Sequence, residues 1–203
     1  MYDQVVPRLI DHDERDRSIR EAAWRVLTRD GLTAFSVRNV AEEAGIATAS
    51  LRRAYPTQDA LRVACLRRVF DRVQSRLDAL DEARTAEDDP VDFAVRCLCE
   101  LLPLDRERRT EAEVWVTLGS AALTDDGVRA VHDEAHAQLR VACTSVVDAL
   151  TRGGTTPAGA ARLHALLDGL ALHLVHQRAD ADTGWAVEVL ATEVRRLAAG
   201  SAG

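Results

Sequence analysis

The sequence predicts an all-α protein, on three observations. Apolar residues recur at helical spacing along most of the chain, and no segment alternates with a strand period. Ala, Leu and Val dominate, while aromatics make up only 4% of the 203 residues, a composition that favours helix. Gly, Pro, Thr and Asp fall where helices would stop and restart, and they divide the chain into nine segments.

The first helix is expected over Asp13–Arg29, where Ile19, Ala22, Ala23, Val26 and Leu27 form an apolar stripe and Gly31 supplies the stop. Ser36 is placed to cap a second helix, Val37–Ala44, which Gly45 ends. A third, Thr48–Ala54, is short, with Thr48 as its expected cap and Pro56 as its stop. Thr57 can cap a long fourth helix, with Asp59 near its positive end and a stripe from Leu61 that fades near Leu80. The acidic stretch at 81–90 reads as a loop. Five more helices follow at about 91–102, 107–124, 126–152, 157–178 and 184–199. No run approaches the roughly 18 apolar residues of a membrane span. The opening MYDQVVPRLIDHDERDR lacks the apolar segment of a secretory signal, so a cytoplasmic location is expected.

Charge is unevenly spread. The chain carries a formal charge of −7, and all 26 basic residues are arginine. Residues 15–68 nevertheless hold eleven arginines against six acids, whereas residues 69–203 hold fourteen against twenty-three. A basic N-terminal module on an acidic body is the footprint of a head that binds a polyanion.

The second and third helices have the form of a helix-turn-helix. Val37, Val40, Ala41, Ile46 and Leu51 can bury together against the first helix. Thr48, Ser50, Arg52 and Arg53 then remain outside, able to reach phosphates or base edges in a DNA major groove, and Arg38 can reach a flanking phosphate. On these residues the chain resembles the tetracycline-repressor (TetR) family of DNA-binding regulators. The matching parts are Gly31-Leu32, Ser36-Val37, Val40-Ala41-Glu42-Glu43-Ala44-Gly45-Ile46, Leu51, Tyr55-Pro56 and Asp59-Ala60-Leu61. The Leu-Arg pair of the short helix, and RRTEAEVWVTLGSAALTDD further on, resemble the choline-responsive (BetI-like) branch. The resemblance implies a DNA-facing set of Arg38, Thr48, Ser50, Arg52, Arg53, Tyr55 and Gln58, with Gln58 standing where the family commonly has lysine. It also implies a helix-turn-helix domain over residues 13–57 and a ligand-binding and dimerisation domain over 58–203. The implied partners are double-stranded operator DNA, a small-molecule ligand and a second copy of the chain.

For the body, the resemblance implies a pocket that Phe70, Phe93, Cys97, Trp115, Gly119, Leu139, Cys143 and His173 can line. The leucine-rich face Leu163, Leu166, Leu167, Leu170 and Leu174, with the stripe Val187, Leu190 and Val194, fits an isologous dimer interface. The four cysteines read as small buried hydrophobes. His132 and His136 share a helix face at i, i+4, which can chelate zinc, but no third ligand follows by spacing and Asp133 stands where a zinc hydrolase needs Glu. No metal, no cofactor and no enzymatic activity are therefore expected. The rival readings are a metal-dependent hydrolase built on His132 and His136, and a DNA-binding module with no small ligand.

Overall fold

The computed structural model describes residues 12–151 and 157–200, and the expected Gly153–Pro157 turn falls largely outside them. Among the described residues there are nine α-helices, one 3-10 turn and no strand. The helices are α1 (His12–Ala34), α2 (Val37–Glu43), α3 (Thr48–Ala54), α4 (Gln58–Glu82), α5 (Pro90–Cys99), α6 (Arg106–Gly119), α7 (Asp126–Thr151), α8 (Pro157–His176) and α9 (Gly184–Ala199). The chain divides into two compact units between Cys65 and Leu66, inside α4.

The N-terminal unit follows its local signals closely. Gly31 interrupts α1 with φ 77°, so the regular helix ends there. Ser36 caps α2, its Oγ accepting from the Asn39 N–H at 3.2 Å. Gly45 (φ 66°) closes α2 with paired bonds, from its own N–H to Glu42 O and from the Ile46 N–H to Ala41 O. That is the doubly bonded C-terminal cap that a left-handed glycine makes possible. Thr48 is the first residue of α3 rather than its cap; Ala47 takes the cap position and offers no side-chain bond. Thr57 caps α4 through the Ala60 N–H at 3.1 Å. The centre of the unit is Ile19, Ala22, Ala23 and Val26 of α1 against Val40, Ala41 and Leu51, all nearly inaccessible. Phe35 joins them at 1% exposure, while Val37 and Ile46 are only half-buried.

In the C-terminal unit, α5, α7, α8 and α9 share one core. Leu98, Cys143, Val147, Leu163, Leu167, Leu170, Leu174, Leu190 and Val194 form it. This corrects the expected dimer interface. Leu163, Leu167, Leu170, Leu174, Leu190 and Val194 are buried within the chain itself, because α8 turns its leucine face inward onto α7 and α9. Leu166 packs at the edge of the same core, and Val187 is half-buried. Each fully buried leucine contributes roughly 1.5–3 kcal/mol, so the inward face outweighs any alternative use of it. The expected 107–124 helix ends at Gly119, and Ser120–Leu123 tightens into the 3-10 turn.

Ser36→Ala removes the side-chain cap of α2. It should cost about 1 kcal/mol of stability, read as a lower urea midpoint at unchanged slope.

Candidate functional site

Two sites are built in this chain, one in each unit. In the N-terminal unit four arginines are already bound to carboxylates. Arg20 pairs with Asp16 at 2.9 Å, and Arg62 with Asp59 at 2.6 Å. Arg25 (2.7 Å) and Arg29 (3.0 Å) both hold Glu43, tying α1 to α2. Their guanidinium hydrogen bonds, Arg25 first, keep the Glu43 carboxyl below its usual range. Arg38, Arg52 and Arg53 are exposed and form no ion pair among the described residues. Thr48 is exposed beside them and Ser50 is half-buried. The short helix therefore presents two unpaired guanidinium groups on a fixed base.

Tyr55 and Gln58 depart from the expected DNA-facing set. The Tyr55 hydroxyl donates to Asp16 at 2.5 Å, and burial together with that bond holds the phenol well above its usual pKa. The Gln58 amide donates to the Phe35 carbonyl at 2.5 Å. Both polar ends are spent inside the unit, where they lock the exit of α3 and the start of α4.

The C-terminal unit holds a half-open cavity of about 440 Å³. Phe70, Val73, Leu77, Trp115, Leu139 and Leu167 supply its apolar wall. Its polar lining is Gln74, Glu100, Arg108, Glu111, His136, Gln138 and Asp168. Glu111 is 3% exposed and receives Arg72 Nε at 2.5 Å and Arg76 Nη2 at 2.8 Å. Arg76 also reaches Glu100 at 2.9 Å, and Arg108 reaches Glu100 at 3.1 Å. Glu107 adds a further bond to Arg72. Three arginines thus neutralise three glutamates along one side of the cavity, and pairing is what lets Glu111 be buried at all. The sequence carries a signal for this: Glu111, Val114, Trp115 and Leu118 share one helical stripe, which puts a carboxylate on an apolar face.

Of the expected pocket residues, Phe70, Trp115 and Leu139 line the cavity and five do not. Phe93 lies under the guanidinium groups of Arg84 and Arg96, at 4.4 and 5.5 Å from the ring centroid. Cys97 is half-buried elsewhere, and Cys143 is inaccessible in the core, where burial pushes its thiol up to about 11. His173 meets the edge of Trp185 on the outer side of α8. Gly119 faces His132: an added Cβ would stand 2.4 Å from its Nε2.

His132 does not act as a pair with His136. Its ring lies 4.2 Å from that of Trp115 and 5.7 Å from that of His136, and its Nε2 is buried without a hydrogen-bond partner. Burial, and secondarily His136, hold its pKa below the usual histidine value. Among the described residues, the donor group that contains His136 does not include His132. Instead α8 brings His164 and Asp168 to His136, a grouping that spacing within one helix could not show.

Comparison with known proteins fits both units. Residues 90–199 match the family described as BetI-type transcriptional repressor, C-terminal, and residues 19–65 match bacterial regulatory proteins of the tetR family. The chain belongs to the TetR family. This TetR-family chain is 33% identical over 171 residues to the HTH-type transcriptional regulator PksA of Bacillus subtilis (strain 168), across 83% of this chain and 82% of that protein. Its fold is similar to a transcriptional regulator from Rhodococcus sp. Rha1 (TM-score 0.76, 24% identity, 91% of this chain and 96% of that one). It is also similar to the multidrug binding protein EbrR complexed with malachite green (TM-score 0.64, 31% identity, 89% and 98%). It is a DNA-binding transcriptional regulator of BetI-like type, and the hydrolase reading has no support. No helix among the described residues is long and apolar enough to cross a membrane.

Gly119→Ala sets a helix gain of about 1 kcal/mol against an overpacking cost of about 1–3 kcal/mol as the His132 ring is pushed along Trp115. The expected net result is destabilisation of about 1 kcal/mol, read by thermal denaturation, and the same change should cost nothing when made in a His132→Ala background.

Proposed function

We propose that this regulator is a homodimeric repressor that acts in the cytoplasm by binding rather than by catalysis, and that a small organic molecule in the body's cavity releases it from its operator. The observation that carries the reading is the set of three exposed arginines without ion pairs, Arg38, Arg52 and Arg53, on two short helices braced by the internal bonds of Tyr55 and Gln58. Arg52 and Arg53 read base edges, Thr48 and Ser50 contact bases or phosphates, and Arg38 holds a flanking phosphate. The dimer forms through the outer faces of α8 and α9, where Ala165 and Val189 are exposed and Val189 is 42% accessible. That is the side opposite the leucines first expected to make the interface.

The ligand is an aromatic compound of modest size. The glutamates on the cavity wall are already neutralised, so affinity comes from contact with Phe70, Trp115 and Leu139. The similarity to EbrR, whose complex holds malachite green, supports this class. Release follows if the ligand binds the DNA-incompetent state more tightly than the competent one.

Arg53→Ala should lose about 1–3 kcal/mol of specific binding in a gel-shift assay against DNA upstream of its own gene. Binding equal to the wild type removes Arg53 from the base-reading set. The protected site should contain two half-sites about one helical turn, roughly 34–36 Å, apart; a single half-site speaks against the dimer. Malachite green should raise the melting temperature, weaken the gel shift, and lose both effects in Trp115→Ala. A dye that leaves the melting temperature of the wild type unchanged sinks the proposed ligand class.

A further inference from the structure

We propose that His136 of α7 and His164 and Asp168 of α8 form a binding site for one divalent first-row transition-metal ion, zinc being the type, in the wall of the cavity. The inference rests on these three side chains and stands whether or not the cavity takes an organic ligand. His136 Nδ1 lies 3.3 Å from His164 Nε2, and His164 Nε2 lies 3.4 Å from Asp168 Oδ2. The three donor atoms all fall within 4.8 Å of one another.

These separations fit a shared cation. Zinc holds nitrogen and oxygen ligands at about 2.0–2.2 Å, so neighbouring ligands of a tetrahedral ion stand about 3.3–3.5 Å apart. Hydrogen bonding alone satisfies the cluster poorly. A single Nε2–H on His164 can serve only one of the two groups facing it, and both distances exceed the roughly 2.9 Å of a good bond. A cation would accept all three lone pairs at once. Two imidazole nitrogens and one carboxylate favour zinc, nickel, cobalt or copper over the oxygen-seeking magnesium and calcium.

The fold supplies the framework. His164 and Asp168 are i, i+4 on α8 and so share a face, and α7 packs along α8 to bring His136 against it. The His164 side chain is 15% exposed and held in place, whereas the Asp168 side chain is 51% exposed and can swing the short distance to close the shell. The ion pair of Asp168 among the described residues is with His164, so no arginine competes for its charge. His136 and Asp168 both line the cavity, so an ion held there would face it.

The test uses the full chain, freed of any histidine tag and stripped by chelator, then titrated with Co²⁺ by calorimetry and visible absorption. The expected result is one Co²⁺ per chain, with the ligand-field bands of a nitrogen–oxygen site that stoichiometric Zn²⁺ abolishes. Asp168→Asn and His164→Ala should each weaken binding by about tenfold or more. His173→Ala/His176→Ala, on the outer side of α8, should leave it unchanged. Asp168→Asn alters an exposed side chain at constant shape, and circular dichroism confirms its helix content, so a loss there reports ligation rather than unfolding. The proposal is overturned if wild-type protein binds no stoichiometric cobalt, if Asp168→Asn and His164→Ala bind as tightly as wild type, or if the His173/His176 variant abolishes binding.

Discussion

Glu111 is almost wholly removed from solvent, and only the guanidinium groups of Arg72 and Arg76 make that position tenable. An isolated carboxylate there would have to leave or take up a proton. Paired, it becomes a joint: α4 contributes both arginines, α6 the glutamate, and Glu100, just after α5, clasps Arg76 and Arg108 from the other side. The same joint forms one wall of the cavity. Its charge is spent, so the space beside it behaves as an apolar enclosure despite the ionic side chains around it.

Arginine–carboxylate pairing sorts the head by the same logic. With no lysine in the chain, every fixed side-chain cation is a guanidinium, and each either finds an acid or remains available to a phosphate. Arg25 and Arg29 are consumed by Glu43, Arg20 by Asp16 and Arg62 by Asp59. What remains on α2 and α3 is a small cationic face on a protein of net negative charge.

How much of this was legible in the sequence divides along a physical line. Ser36, Gly45 and Thr57 act through bonds to residues three places away, and Pro56 acts by having no N–H to give, so local spacing is enough to read them. The helix-turn-helix was therefore visible almost residue by residue. Periodicity also showed that the leucines of α8 are buried, but not what buries them: α7 and α9 compete with a second subunit for the same stripe, and only the tertiary packing decides. The same limit explains Phe93, whose partners are arginines, and Gly119, whose neighbour is His132 rather than a cavity. Tyr55 and Gln58 were assigned by family pattern to DNA, and their partners Asp16 and Phe35 lie 39 and 23 residues away. His164 lies 28 residues from His136, beyond the reach of any spacing rule within one helix.

The two locks made by Tyr55 and Gln58 carry a consequence for how such a protein can change over generations. They hold the short helix from its far end, so the side chains it turns outward bear none of the folding load. Exchanging those outward residues rewrites the address on the envelope without touching the paper. If those residues read DNA as proposed, a new set of target sites lies a few surface substitutions away, while the scaffold that presents them stays as it is.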